Sequence, residues 1–431
     1  MKAASFTLTH WKRFFFTIWG GQAASLFGST LVSFALVWHM TATTGSAVVL
    51  TTATLATFLP SILITPFLGT FVDRWPRRWM MVIADGLTAV FTLLLALLFW
   101  FGTVQIWSIY LLLFIRSITS DLHYLSMRSA TALMVPERHL SRVAGINRAL
   151  QGVMNVAGPP AGALFLTFMP VATVLMIDVV TAFFAILPLL LIVIPEPVKQ
   201  EAKKGERARI TIFKDFAEGF RYVRSWRGLM AVTVISLLTN FIAMPVLSLT
   251  PLLVTEHFKG GVTQLGWVES ALGIGTILGG LILGAWGGFR KRIYSMLAGG
   301  ILAALSILLV AFVPQSALLL GVAGFFVLGC AFPFLDGPLD AILQAKVAPE
   351  MQGRVFSFLM SAGKLMLPFG LLISGQLTEQ LGVRFWYFIA GGGWLLINLV
   401  SFFLPVVVNI EEEHKAMVQV AVSGNLNQPE T

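Results

Sequence analysis

Charge is the scarcest property of this chain. Asp, Glu, Lys and Arg make up 11% of 431 residues, 57% are hydrophobic, and the mean hydropathy is +0.85. Soluble domains carry roughly 25% charged residues, so a water-exposed fold is excluded: too much apolar surface would have no interior to enter. Cysteine is limited to Cys330, which rules out an internal disulfide framework. No G-x-x-x-x-G-K-[ST] loop is present, so the chain does not hydrolyse ATP through such a loop. The six histidines are scattered without an HExxH spacing. An enzyme is therefore not expected, nor is a metal or cofactor. The net charge of +9 comes from basic residues dispersed between apolar segments. That dispersal argues against a nucleic-acid partner and for topology signals.

Long apolar runs are what the chain has in abundance. A helix needs about 20 residues to cross an apolar layer of about 30 Å, and lipid leaves backbone groups no partners outside a helix. Twelve segments meet that demand: helices 1–12 over about 14–39, 47–72, 79–101, 104–127, 142–169, 171–194, 228–254, 262–287, 293–313, 316–341, 354–378 and 384–408. The first run is too long for a signal peptide and lacks a small-residue cleavage site, so it is expected to remain as helix 1. The expected fold is an all-α integral membrane protein of twelve transmembrane helices, with the lipid bilayer as its solvent.

Orientation follows from the loops. The turns after helices 1, 3, 5 and 9 hold no Lys or Arg, and those after helices 7 and 11 hold only Lys259 and Arg384. The opposite side receives Lys12, Arg13, Arg74, Arg77, Arg78, Arg138, Arg142, Arg290, Lys291, Arg292, Lys346, Arg354 and the basic stretch 199–227. The positive-inside rule places these loops and both termini in the cytoplasm.

The chain divides once. Residues 195–227 are polar, and Phe213, Phe216, Phe220 and Val223 recur there at helical spacing opposite Lys214, Glu218, Arg221 and Arg224. This pattern predicts an amphipathic helix on the cytoplasmic surface, linking residues 1–194 to residues 228–408. Residues 409–431 are polar and read as a disordered cytoplasmic tail. The two halves echo each other: Pro136-Glu137 and Arg142-Val143 open helix 5, and Pro349-Glu350 and Arg354-Val355 open helix 11. Duplicated halves of this kind are expected of transporters.

The densest charge lies between helices 2 and 3, in Gly69-Thr70-Phe71-Val72-Asp73-Arg74-Trp75-Pro76-Arg77-Arg78. The spacing G-x-x-x-D-R-x-x-R-R resembles the helix 2–3 loop of the major facilitator superfamily, with Pro76 where that family usually has Gly. A degenerate copy, Gly284 to Arg292, keeps the basic residues but has Gly288 where the acid would fall. Further stretches narrow the resemblance to the bacterial drug-exporter branch that includes macrolide-efflux proteins. They are Trp11-Lys12-Arg13, Gly21-Gln22-Ala23, Thr44-Gly45-Ser46-Ala47, Phe58-Leu59-Pro60, Phe114-Ile115-Arg116-Ser117-Ile118, Ile177-Asp178-Val179, Glu256-His257-Phe258, Leu283-Gly284 and Gly353-Arg354-Val355-Phe356-Ser357.

That resemblance implies two pseudo-symmetric six-helix bundles in a bacterial cell membrane. It implies a monomer that exports small amphipathic drugs by proton antiport through alternating access. Helices 1, 4, 7 and 10 would line the cavity. Export of a siderophore or another metabolite, or import of a nutrient, remains open; the duplicated plan does not support a channel or receptor. The resemblance also implies a cytoplasmic gating motif of Gly69, Asp73, Arg74, Arg77 and Arg78, with Asp73 facing the start of helix 11 near Arg354. Topology alone accounts for the arginines equally well, but a lone acid works against the positive-inside pattern.

Charges within the apolar runs are the next candidates. Arg116 stands mid-helix 4, where a charge costs at least ~2.5–3.5 kcal/mol unless paired or facing water. It shares a face with Thr119 or Ser120 and with His123, and resembles the family's helix-4 arginine linked to proton coupling. Asp85, Asp178, Glu269, Asp121, Asp336 and Asp340 could carry protons, although Asp85 and Asp178 could equally bond neighbouring helices. Lys364 lies about as deep as Asp336, so an ion pair between them is expected as one option. A polar stripe of Gln22, Ser25, Ser29 and Ser33 with Trp19, and another of Thr233, Ser236 and Asn240, read either as substrate cavity or as interhelical bonding. Two small-residue faces on helix 8, Gly275/Gly279 and Gly280/Gly284, read as close-packing faces.

Overall fold

The computed structural model describes residues 11–64, 68, 75–194, 217–347 and 349–412. Among them every regular element is helical. The helices are α1 (Trp11–Thr44), α2 (Ala47–Leu63), α3 (Arg77–Trp100), α4 (Ile106–Met134), α5 (Glu137–Phe168), α6 (Val171–Leu191), α7 (Arg227–Ser248), α8 (Val262–Trp286), α9 (Arg292–Phe312), α10 (Leu318–Lys346), α11 (Pro349–Leu365 and Leu367–Leu381) and α12 (Val383–Phe403). Nine described helical stretches are long and apolar enough to cross a bilayer, and α2 is a shorter apolar helix. Both α4 and α5 have the length but less apolar sequence, because α4 carries Arg116, Asp121 and Arg128, and α5 opens with Glu137, Arg138 and Arg142.

Local chemistry sets the breaks. Gly45 takes a left-handed φ of 57°, which turns the chain between α1 and α2. Ser46 then caps α2 by accepting from the Val49 N–H at 3.3 Å. After α7 the chain winds through a short helical turn, Thr250–Leu252, and a π-turn, Leu253–His257.

Two compact units result: Met1–Ala202 with Ser248–Ser270, and Lys203–Leu247 with Ala271–Thr431. In the first, α1 packs on α5 and α6, α3 on α4 and α6, and α2 on α4. Ser248 belongs with this unit through a 2.6 Å hydroxyl–hydroxyl hydrogen bond to Thr54. In the second, α9 packs on α10 and α12. Glycines set the closest approaches. A Cβ on Gly21 or Gly28 of α1 would meet the backbone of α6 at Phe184 O (2.6 Å) or Asp178 Cα (2.9 Å). On α8, Cβ atoms at Gly275 and Gly279 would meet the Phe326 and Cys330 carbonyls of α10 at 2.1 and 2.2 Å. The second face read from sequence is not packed among the described residues: a Cβ on Gly280 would meet only Pro333, at 3.9 Å, and one on Gly284 nothing within 4 Å. A small-xxx-small spacing permits close approach, but the neighbours decide which side of α8 is covered.

The linker is described from residue 217 onward. Residues 217–225 are helical, yet they do not lie free on a surface. Val223 and the following Trp226 are fully buried in a core with Leu229, Ile293, Ile342, Val355 and Phe358. Phe213, Lys214 and Phe216 lie outside the described residues. At the start of the polar end, Ile410 is fully buried, and Glu411 accepts from the Ile293 N–H at 3.2 Å, capping α9. Residues 413–431 lie outside the described part.

Candidate functional site

The strongest polar constellation lies inside the first unit, where α1, α3, α4 and α6 meet. Arg116 Nη1 donates to Asp178 Oδ2 at 2.6 Å, and the two side chains are 9% and 2% exposed. Such burial makes a lone charge costly, so the surroundings must satisfy both groups. They do. Thr92 accepts from Arg116 at 3.1 Å and donates to Asp178 Oδ2 at 3.3 Å. Ser29 Oγ donates to Asp178 Oδ1 at 3.0 Å, and Arg116 Nη2 donates to the Ser29 carbonyl at 3.4 Å. Gly28 makes room for this contact, because a Cβ there would also meet Thr181 Oγ1, at 2.3 Å.

A second, looser cluster lies two helical turns along the same elements. Gln22 Nε2 donates to Asp85 Oδ2 at 3.1 Å, and His123 Nε2 lies 3.7 Å from Asp85 Oδ1, an ion pair only when the ring is protonated. The pairs Gln22/Ser29, Asp85/Thr92 and Arg116/His123 are each seven residues apart, roughly 10 Å of helix rise. Thr88 and Thr119 share a 2.7 Å hydrogen bond on the intervening turn. Trp19 Nε1 donates to Asn147 Oδ1 of α5 at 2.7 Å.

The predicted site residues therefore fall into three groups. Arg116, Asp178, Ser29, Gln22, Asp85, His123 and Trp19 form polar contacts within one unit. On the α1 stripe, Trp19, Gln22 and Ser29 bond to other helices, whereas Ser33 donates to the Ser29 carbonyl within α1. A separate set lacks such partners. Glu269 is half-buried on α8 and makes no hydrogen bond or ion pair with a described residue; one turn before it, Gly266 presses against Pro159, Pro160 and Ala163 of α5. Ser236 and Asn240 are half-buried on α7 and likewise make no side-chain hydrogen bond among the described residues. Asp336 is exposed on α10. Asp121, half-buried on α4, does not belong to this set.

The Asp336–Lys364 ion pair does not form among the described residues. Equal depth along two helices does not fix which way each side chain points, and Asp336 lies on an exposed side of α10 beside Gly337.

The gating motif is only partly described. Gly69, Asp73 and Arg74 lie outside the described residues. Arg78 donates from Nε to the Leu189 carbonyl and from Nη2 to that of Leu190 at 2.6 Å, tying the start of α3 to the end of α6. Its guanidinium also lies 5.6 Å from the Trp79 ring centroid. Arg77 is half-buried at the first position of α3. Arg354 is engaged inside the second unit, where it donates to Glu218 Oε2 of the linker helix at 2.6 Å.

Sequence reasoning missed Thr92 and Asn147. The seven-residue register linking Asp85 to Thr92 was the available signal for the first; nothing local marked the second.

An all-helical chain with this many apolar helices and a buried charge network has the architecture of a major facilitator transporter. Solved structures share that fold: the nucleoside transporter NupG (D323A mutant), with a TM-score of 0.70 and 16% identity, covering 90% of this chain and 98% of that one; and the xylose transporter XylE from E. coli, at 0.65 and 15%, covering 93% and 99%. The family model described as transmembrane secretion effector matches residues 7–428, and the chain belongs to that family. It is 31% identical over 406 residues to Macrolide efflux protein A of Streptococcus pyogenes, spanning 94% of this chain and 98% of the relative. It is 24% identical over 397 residues to Multidrug efflux pump Tap of Mycobacterium bovis, spanning 90% and 92%. It is a multi-pass protein of the bacterial cell membrane.

Proposed function

We propose that this protein exports amphipathic drugs, macrolides among them, from the cytoplasm in exchange for protons, by alternating access of two six-helix bundles. The observation that carries the reading is the end-to-end similarity to Macrolide efflux protein A at 31% identity. The similarity to a second efflux pump, Tap, supports the same class of cargo.

The chemistry of the chain is compatible with that exchange. A coupling acid should not already be committed to a structural contact between helices. Asp178 is committed in this way, to Arg116, Ser29 and Thr92. Glu269 has no such partner among the described residues, which favours it over Asp178 as the coupling acid. Asp85 with His123 stands between these cases, because their contact depends on the charge of the ring. Asp73 acts as a cytoplasmic latch on the start of α11, through hydrogen bonds to its N-terminus or to Arg354.

A susceptibility screen tests the cargo. Expressed in a host without its own pumps, the protein is expected to raise resistance to macrolides and to spare siderophore handling. Unchanged macrolide susceptibility together with altered siderophore or metabolite export would replace this reading with its rival. Asp73→Asn is expected to lower export while leaving membrane insertion intact; normal export by that variant would remove the latch.

A further inference from the structure

The helix that links the two halves of the chain is seated on α11. Four contacts hold it there. Arg354 Nη1 meets Glu218 Oε2 at 2.6 Å. A Cβ on Gly219 would come within 2.6 Å of the Arg354 carbonyl oxygen and 3.2 Å of the Phe358 Cβ, so the two backbones touch where only glycine fits. The Phe220 and Phe358 rings lie 5.6 Å apart. Val223 and Trp226 anchor the far end in the core that contains Val355 and Phe358.

This is more than a tether requires. A flexible connector would need neither a close glycine approach nor an ion pair, and apolar burial of Val223 and Trp226 alone would anchor its far end. The polar contact is selective too: Glu218 engages one Nη of a guanidinium that has five N–H donors. It therefore orients Arg354 through that one group.

We infer that Glu218 is a positioning residue for transport: by holding Arg354 it fixes the linker helix to the first turns of α11, so that linker and helix move as one piece. This rests on the reading of the chain as an exporter that cycles between states. Rocking motion then reaches α11 through a stiff connector, and the linker is part of the moving machinery.

Two readouts on purified protein and on vesicles test the inference. Trypsin cleavage at Arg221 and Arg224 reports whether the linker helix is seated, and drug uptake into everted vesicles reports transport. Glu218→Gln, and separately Gly219→Val, are expected to speed cleavage and slow uptake by at least about threefold each, the range of coupling energies carried by single residues. Amounts in the membrane should be unchanged. The charge exchange Glu218→Arg with Arg354→Glu is expected to restore both readouts to within about twofold. Faster cleavage with wild-type uptake would reduce the contact to a structural tether and overturn the inference. So would wild-type behaviour of Glu218→Gln in both assays. Failure of the proposed function looks different: the wild type itself would transport none of the drugs, while trypsin would still decide whether Glu218 seats the helix.

Discussion

The two halves of this chain share a helical plan but place their charge pairs differently. In the first unit, Arg116 and Asp178 meet at 2.6 Å in the apolar interior, with Thr92 and Ser29 satisfying what the pair leaves over. In the second, two described ion pairs lie at the edge and fasten segments outside the main helices. Glu218 of the linker holds Arg354, and Glu412 beyond α12 holds Lys291 at 2.9 Å. Burial separates the two kinds of pair. An interior pair cannot lose one partner without stranding a charge in a low-dielectric medium. The edge pairs are 27–61% exposed, where water screens them and stability depends on them little. Interior charge thus fixes one unit's helices, while edge charge attaches the other unit's connecting segments.

The largest expected effect comes from breaking the interior pair. Asp178→Asn leaves Arg116 uncompensated and is expected to cost about 3–5 kcal/mol, seen as a steep fall in folded protein after heating in detergent. Replacing both partners by leucine is expected to be milder than either single change. A double variant as unstable as the singles would mean that the pair does not act as a unit.

Close packing comes next. Gly28→Ala drives a methyl group against Thr181 and the Asp178 backbone, and is expected to destabilise by about 1–3 kcal/mol. Gly284→Ala enters open space on α8 and is expected to be neutral, or to stabilise by up to about 1 kcal/mol through helix propensity. Equal effects in the same thermal assay would contradict the assignment of these faces.

Smaller effects are expected at the edge. Arg354→Ala should cost no more than about 1 kcal/mol of stability, because its ion pair is partly exposed, and its consequence should be read in transport rate. Lys291→Met is the weakest change, and its sign is informative. The hydrogen bond to Glu412 raises the Lys291 pKa above the ordinary 10.5. A lysine raised on folding contributes fully below its unfolded value and loses that contribution as pH climbs through the raised one. Any difference between wild type and Lys291→Met should therefore stay flat through neutral pH and fade only in strong alkali; a difference that disappears near neutral pH would rule out this pair as its source.

Much of this was legible in the sequence. Apolar run length located the helices because the bilayer imposes one length on all of them, and the described helices overlie the expected segments. Arg116 announced itself as a charge needing a partner. Its partner did not, since Asp178 is distant in sequence and only the packing of α4 against α6 decides whether the two point at each other. The same limit explains why Asp336 and Lys364 matched in depth and still do not pair. The linker shows a different limit. A stripe of Phe220 and Val223 fits a lipid surface or a protein groove equally well, and only the Gly219 contact with Arg354 separates the two. The α1 stripe was ambiguous for a related reason: Ser29 and Gln22 have the chemistry of a substrate site, and neighbouring acids claimed them first.

The central claim is export driven by proton exchange, and uptake of a labelled macrolide into everted vesicles with an imposed inward-acid pH gradient tests it most directly. The account predicts accumulation above the external concentration, abolished when an uncoupler collapses the gradient and lost in Glu269→Gln. Accumulation that survives collapse of the gradient, or none at all with protein present in the membrane, would contradict it.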